Sequence, residues 1–146
     1  MTEVNHEAVI KAPRERVFAY IDNYENVPEY MFGISRFRPT TDVVHGLGAE
    51  FETIIKVGPK ELKSTVRCVE WVENEKIRLE SIAGMGANTT WSMRDGDEEG
   101  TTIMHVEFDF TLPGGITGKV LGGLIGPFAD QGIKYTDGKV RAACEN

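Results

Sequence analysis

Apolar and polar residues alternate along most of the chain, which is the pattern of β-strands that bury one face. The clearest case runs from 102 to 112, where every second residue belongs to one apolar set. Turn-forming glycine, proline, asparagine and aspartate residues separate such segments. The sequence therefore predicts seven strands, over residues 4–11, 34–43, 49–57, 61–72, 76–82, 87–94 and 102–112.

Helical spacing interrupts this pattern in two places. Pro13 opens a short helix over residues 14–22, and a second short helix covers 26–31, so both lie between the first two strands. After the last strand, apolar residues recur at helical spacing up to residue 144. This predicts a long closing helix whose regular part begins near 124–127, because Pro127 fits a first turn.

Glycines recur along the closing helix, and each interior one costs roughly 0.5–1 kcal/mol relative to alanine. Two interpretations stay open. Residues 114–126 are an irregular, glycine-rich lead-in, or the helix keeps one face low so that another molecule fits beneath it. The second interpretation makes Gly122, Gly126 and Gly132 part of a cavity wall.

The order of elements predicts an α+β fold. Short turns between consecutive strands favour antiparallel neighbours, and one apolar sheet face must be covered by another element. The closing helix is the only element long enough for this, and a seven-stranded sheet curls. We therefore expect a single domain over residues 1–146, with a curved sheet around the helix and a space between them.

Composition narrows the classes of partner. A formal net charge of −7 argues against nucleic acid and anionic membranes. Residues 114–129 are too short and too glycine-rich to span a bilayer. Cys68 and Cys144 fit no metal-binding spacing, and the N-terminus has no signal-peptide pattern. We expect a cytoplasmic protein with reduced thiols and without a metal or cofactor. A homodimer is one of the oligomeric states that the sequence leaves open.

Alternation also assigns candidate site residues. The large side chains on the inner face either fill a core or line an apolar pocket. The ligand-binding candidates are Met31, Phe32, Phe51, Ile55, Val66, Leu79, Trp91, Met93, Met104, Val106, Phe108, Phe110, Ile125, Phe128 and Tyr135. Polar side chains that can reach the same space are Tyr20, Tyr30, Arg36, Thr53, Ser64, Thr89, Thr90 and Tyr135.

Catalytic motifs are missing from the sequence: no nucleophile elbow, phosphate loop or metal-ligand spacing is present. If the protein is an enzyme, Tyr135 and His6 are the candidate proton donors. The trio His105, Glu107 and Asp109 lies on the polar side of the last strand and is expected to face solvent.

The chain resembles the START-like superfamily, which has the helix-grip fold and includes polyketide cyclase/dehydrase-like proteins. Residues 12–18, 26–31 and 112–115, together with the strand order, carry the resemblance. It implies a deep apolar cavity between the sheet and the long helix. Family members bind lipids, sterols, polyketides, quinones or hormones, and some catalyse cyclisation, dehydration or hydrolysis.

The expected function is binding or transport of a hydrophobic small molecule, such as a lipid or polyketide. The alternatives are a cyclase/dehydratase-type enzyme that uses the same cavity, and a non-catalytic accessory or interaction subunit. Fold alone does not choose among them.

Overall fold

A computed structural model describes residues 2–57, 59–111 and 118–145, with side chains described for 3–57, 59–111 and 131–145. The predictions for Leu112 and for the lead-in up to residue 117 lie outside these residues. So do those for the side chains of Gly122, Gly126, Ile125 and Phe128.

The structure has the predicted order of seven strands, two short helices and a long closing helix. The elements are β1 (Thr2–Ile10), α1 (Arg14–Asp22), a 3-10 turn (Tyr24–Asn26), α2 (Val27–Tyr30), β2 (Ile34–Pro39), β3 (Glu50–Val57), β4 (Lys60–Val72), β5 (Lys76–Gly84), β6 (Gly86–Asp95), β7 (Thr102–Thr111) and α3 (Gly118–Cys144). Each strand pairs antiparallel with its neighbours in the order β1-β7-β6-β5-β4-β3-β2. The predicted α+β class and helix-grip architecture are confirmed.

Two predicted boundaries are wrong. β2 ends at Pro39, because a local turn competes with the sheet: the amide of Val43 donates to Thr41 Oγ1 at 3.2 Å. The closing helix begins at Gly118, which places Pro127 in its interior. A proline removes one backbone hydrogen bond, but it does not end a helix whose other turns are stabilised by packing.

α3 packs against α1, α2, β1 and β3, so that it covers the concave face of the sheet. Val140 and Cys144, near its end, are fully buried in a cluster that includes Val17 and Phe18 of α1. Arg16 of α1 donates to the carbonyl of Cys144 at 3.1 Å. This end of the interior is solid, and it fixes the position of the helix over the sheet.

The polar trio on β7 points away from that interior. Met104 and Phe110 of the same strand are buried, and alternation sends His105, Glu107 and Asp109 to the opposite face. There Asn88 donates to Asp109 at 2.9 Å. The trio takes no part in the space beneath the helix.

Candidate ligand-binding cavity

A cavity of about 90 Å³ lies between the concave face of the sheet and α3. We call it the main cavity. Six elements and the segment between α2 and β2 build its wall, which is almost wholly apolar. The described residues that line it are Val4, His6, Met31, Phe32, Ile34, Ile55, Trp91, Val106, Phe108, Phe110, Gly132, Ile133 and Thr136.

β7 shows directly that this space is hollow. Met104 at one end of its inner face is fully buried, and Phe110 at the other end is buried as well. Val106 and Phe108, between them on the same face, are only half-buried although they point inward. An inward apolar side chain stays accessible where no other protein atoms cover it, so these two residues mark the gap.

Two smaller chambers continue the main cavity along the sheet. The second chamber has a volume of about 40 Å³, and Met31, Ile34, Ile55, Trp91 and Phe108 line both it and the main cavity. A third chamber of about 30 Å³ lies beyond it. Trp91 lines all three. The shared side chains therefore stand between the chambers.

The predicted ligand-binding residues fall into distinct groups. Met31, Phe32, Ile55, Trp91, Val106, Phe108 and Phe110 line the main cavity. Val66 and Leu79 line the second chamber, while Phe51 and again Leu79 line the third. Met93 and Met104 are buried in the solid cluster. Tyr135 contacts Phe32, with ring centroids 5.6 Å apart, and Lys139.

Gly132 is one of the described residues by which α3 contributes to the wall of the main cavity. A Cβ atom built there would meet only Phe32 Cβ, at 3.8 Å, which is ordinary contact. The position therefore has room for a side chain. The hypothesis that this glycine keeps the helix face low applies to larger residues than alanine, which would extend into the cavity.

His6 and Asp137 form the main polar pair at the cavity. His6 lines the main cavity, and its Nε2 lies 2.7 Å from Oδ2 of Asp137 on α3. Side-chain exposure is 24% for His6 and 16% for Asp137. Among the described residues, Oδ1 of Asp137 has no hydrogen-bond partner. The pair joins β1 to α3 and presents both a ring nitrogen and a carboxylate near an apolar wall.

Asp137 is the site residue that sequence reasoning missed. It follows Ile133 by four positions and precedes Val140 by three, so it lies within the apolar stripe of the helix. His6 likewise interrupts the inner face of β1. Two polar residues on two apolar faces were the available signal that a buried pair joins the helix to the sheet.

Tyr30 and Tyr20 are held as neutral phenols. Tyr30 donates its hydroxyl hydrogen to the carbonyl of Ile21 at 2.8 Å, and burial raises the pKa of Tyr30 above its ordinary value, with Tyr20 and Asp22 adding to the effect. Burial also raises the pKa of Tyr20, whose hydroxyl donates to Glu29 at 2.9 Å. Neither phenol is activated for proton transfer at neutral pH.

Metal and thiol chemistry find no support in the part of the chain that the structure describes. It contains no group of three or more histidine, cysteine or acidic residues placed to hold a metal ion. Burial raises the pKa of the Cys68 thiol to about 11 and also raises that of Cys144. A raised pKa keeps both thiols protonated, and so makes them poor nucleophiles.

Comparison with known proteins agrees with this geometry. The family model described as "Polyketide cyclase / dehydrase and lipid transport" matches residues 1–145. No curated protein sequence matches the chain. In the described residues, no helix is long and apolar enough to cross a bilayer.

Solved structures share the fold at low sequence identity. TTHA0849 from Thermus thermophilus has a TM-score of 0.78 at 19% identity, covering 97% of this chain and 96% of its own. The Zhui aromatase/cyclase from a Streptomyces species gives 0.76 at 12%, covering 97% and 92%. A START superfamily protein from Mycobacterium smegmatis gives 0.74 at 11%, covering 98% and 97%. With a family model matched over nearly its whole length and a hollow sheet closed by one helix, the chain belongs to the polyketide cyclase/dehydrase and lipid transport family of START-like proteins.

Proposed function

We propose that the protein binds and carries a hydrophobic small molecule, such as a lipid or polyketide, in the main cavity. The observation that carries the proposal is the pair Val106 and Phe108, which point inward and are left uncovered beside an apolar space. Covering such surface with a ligand gains roughly 25 cal/mol per Å² of apolar area removed from water. Without a ligand, water has few polar partners there.

Filling the cavity tests this proposal. Val106→Phe places a ring in the main cavity, and we expect it to weaken the binding of N-phenyl-1-naphthylamine, a neutral fluorescent probe, at least tenfold. Gly132→Leu fills the same space from the helix side and should do the same. Val9→Phe is the matched control, because Val9 is 53% exposed on the first strand.

Circular dichroism of each variant first establishes that it is folded. If folded Val106→Phe and Gly132→Leu proteins both bind the probe as tightly as the natural sequence, the main cavity is not the binding site. Native mass spectrometry of the purified natural protein then identifies any molecule it retains.

The alternative function is a cyclase/dehydratase-type enzyme that uses the same cavity, and the His6–Asp137 pair favours it. A carboxylate that holds one ring nitrogen fixes the orientation of the imidazole, which suits a general acid or base. Tyr135, the other candidate proton donor, lies against Phe32 and Lys139 instead.

Substitution of His6 separates catalysis from carriage. On an aromatic poly-β-ketone substrate, His6→Gln should lower turnover at least about a hundredfold if the pair is catalytic, since positioned acid–base groups contribute about 10²–10⁴. Binding of N-phenyl-1-naphthylamine should stay within threefold. Tyr135→Phe is the comparison variant. Binding without turnover in the natural protein supports the carrier instead.

The third candidate function is that of an accessory or interaction subunit. It would be supported if the natural protein retained no ligand and turned over no substrate. A homodimer and a cytoplasmic location remain parts of the proposal. Light scattering after gel filtration measures the oligomeric state.

A further inference from the structure

One buried hydroxyl group beneath the helix has no hydrogen-bond partner among the residues whose side chains are described. Thr53 lies on the inner face of β3, is 3% exposed and lines the second chamber. Within the described residues, its Oγ1 makes no hydrogen bond. Burying a hydroxyl without a partner is unfavourable, so buried polar groups in folded proteins are nearly always hydrogen-bonded.

Three other buried hydroxyl groups of this interior are satisfied by the protein itself. Ser64, directly opposite Thr53 on β4, donates to the carbonyl of Met85 at 2.8 Å. Thr136 donates to the carbonyl of Tyr30 at 2.7 Å, and Thr102 donates to the carbonyl of Ala12 at 2.7 Å. Thr53 departs from this pattern, and the same residue lines the second chamber.

The walls of the second chamber restrict what the partner can be. None of the described residues that line it is a lysine, arginine or histidine. A carboxylate or phosphate buried there would lack a counter-ion, which is strongly unfavourable. The Tyr30 hydroxyl, also on this wall, already donates to Ile21. A neutral oxygen that a hydroxyl group can satisfy fits the chamber, whose wall includes Thr89 as well as Thr53.

We propose that Thr53 Oγ1 is the hydrogen-bond anchor for a neutral carbonyl or hydroxyl oxygen on an otherwise apolar ligand. This rests on the proposed carrier function and names its ligand class. The body of the ligand occupies the main cavity, and its oxygen-bearing end enters the second chamber past the shared wall of Ile55, Trp91 and Phe108. Ligands with a buried acidic end are disfavoured.

A matched ligand pair tests the anchor. 2-Acetylnaphthalene and 2-isopropenylnaphthalene have nearly the same shape, but only the first has a carbonyl oxygen. By titration calorimetry, the natural protein should prefer the ketone, and Thr53→Val should remove about three- to tenfold of this preference, the range of one net hydrogen bond. Affinity for the alkene should change less than twofold.

Thr102→Val is the control, because Thr102 is not among the described residues that line the three chambers and its buried hydroxyl already donates to the carbonyl of Ala12. It should lower the melting temperature and leave the ketone preference intact. Thr53→Val should melt at the same temperature as the natural protein or higher, since it removes an unpaired group.

The outcomes separate this inference from the function on which it rests. If both compounds bind and Thr53→Val leaves the preference unchanged, the anchor is overturned and the carrier stands. A large loss of stability in Thr53→Val also overturns it, since the hydroxyl would then have a protein partner. If neither compound binds the natural protein, both proposals fail together.

Discussion

Polar residues on apolar faces give this interior its chemistry. His6 Nε2 and Asp137 Oδ2 pair across the gap between sheet and helix, whereas the hydroxyl of Thr53 has no partner among the described side chains. Sequence could identify His6 and Thr53 as inward-facing, since alternation gives the face of a strand. It could not say which hydroxyl had a partner, because partners such as the Tyr30 carbonyl lie far away in the chain.

Sequence alternation also cannot distinguish the hollow part of the interior from the solid part. Met104 and Val106 share one face of one strand, yet Met104 is fully buried and Val106 lines the cavity. Periodicity assigns both to the inside and contains no information about depth. Whether an inward-facing residue is fully buried depends on whether another element lies opposite it. That in turn depends on the curvature of the sheet and the path of the helix.

Tyr30 should make the stability of the protein fall at alkaline pH. Its buried phenol has a raised pKa, so the folded state keeps a proton that the unfolded chain releases above its ordinary pKa of about 10. This contribution is fully present below pH 10 and is lost as the pH rises further. The loss is up to about 1.4 kcal/mol per pH unit for one proton.

Urea unfolding from pH 8 to pH 11 measures this slope. Tyr30→Phe should be about 1–3 kcal/mol less stable at pH 8, since the carbonyl of Ile21 loses its donor. Its stability should fall less steeply above pH 10 than that of the natural protein. Parallel curves would mean that Tyr30 is not the group that titrates.

At the scale of elements, period-two alternation was sufficient to predict the strands and their order. The errors occurred where a local preference met a competing interaction. β2 ends early because Thr41 turns the chain, and α3 begins early although Pro127 suggested a first turn. The two-residue alternation of a strand extends over many residues, so a few exceptions do not hide it. The ends of an element, in contrast, depend on single hydrogen bonds.

At the scale of the whole molecule, one helix both closes the cavity and holds the fold together. Its last turns are anchored by Val140 and Cys144 in the solid cluster, and its middle turns carry Gly132, Ile133 and Thr136 over the hollow part. Stability and binding are thus placed at different positions along the same element. Loss of packing near the C-terminus should therefore affect stability first.

Val140→Ala tests this division. Val140 is fully buried, so removing its two methyl groups should cost roughly 1–3 kcal/mol of unfolding free energy, from lost burial and the cavity left behind. Arg141→Ala, at the exposed next position, should stay within about 0.5 kcal/mol. Urea denaturation measures both, and binding of N-phenyl-1-naphthylamine to the folded variants should match the natural protein. A Val140→Ala protein of unchanged stability would show that the helix is held elsewhere, and weakened probe binding would show that anchor and cavity are one unit.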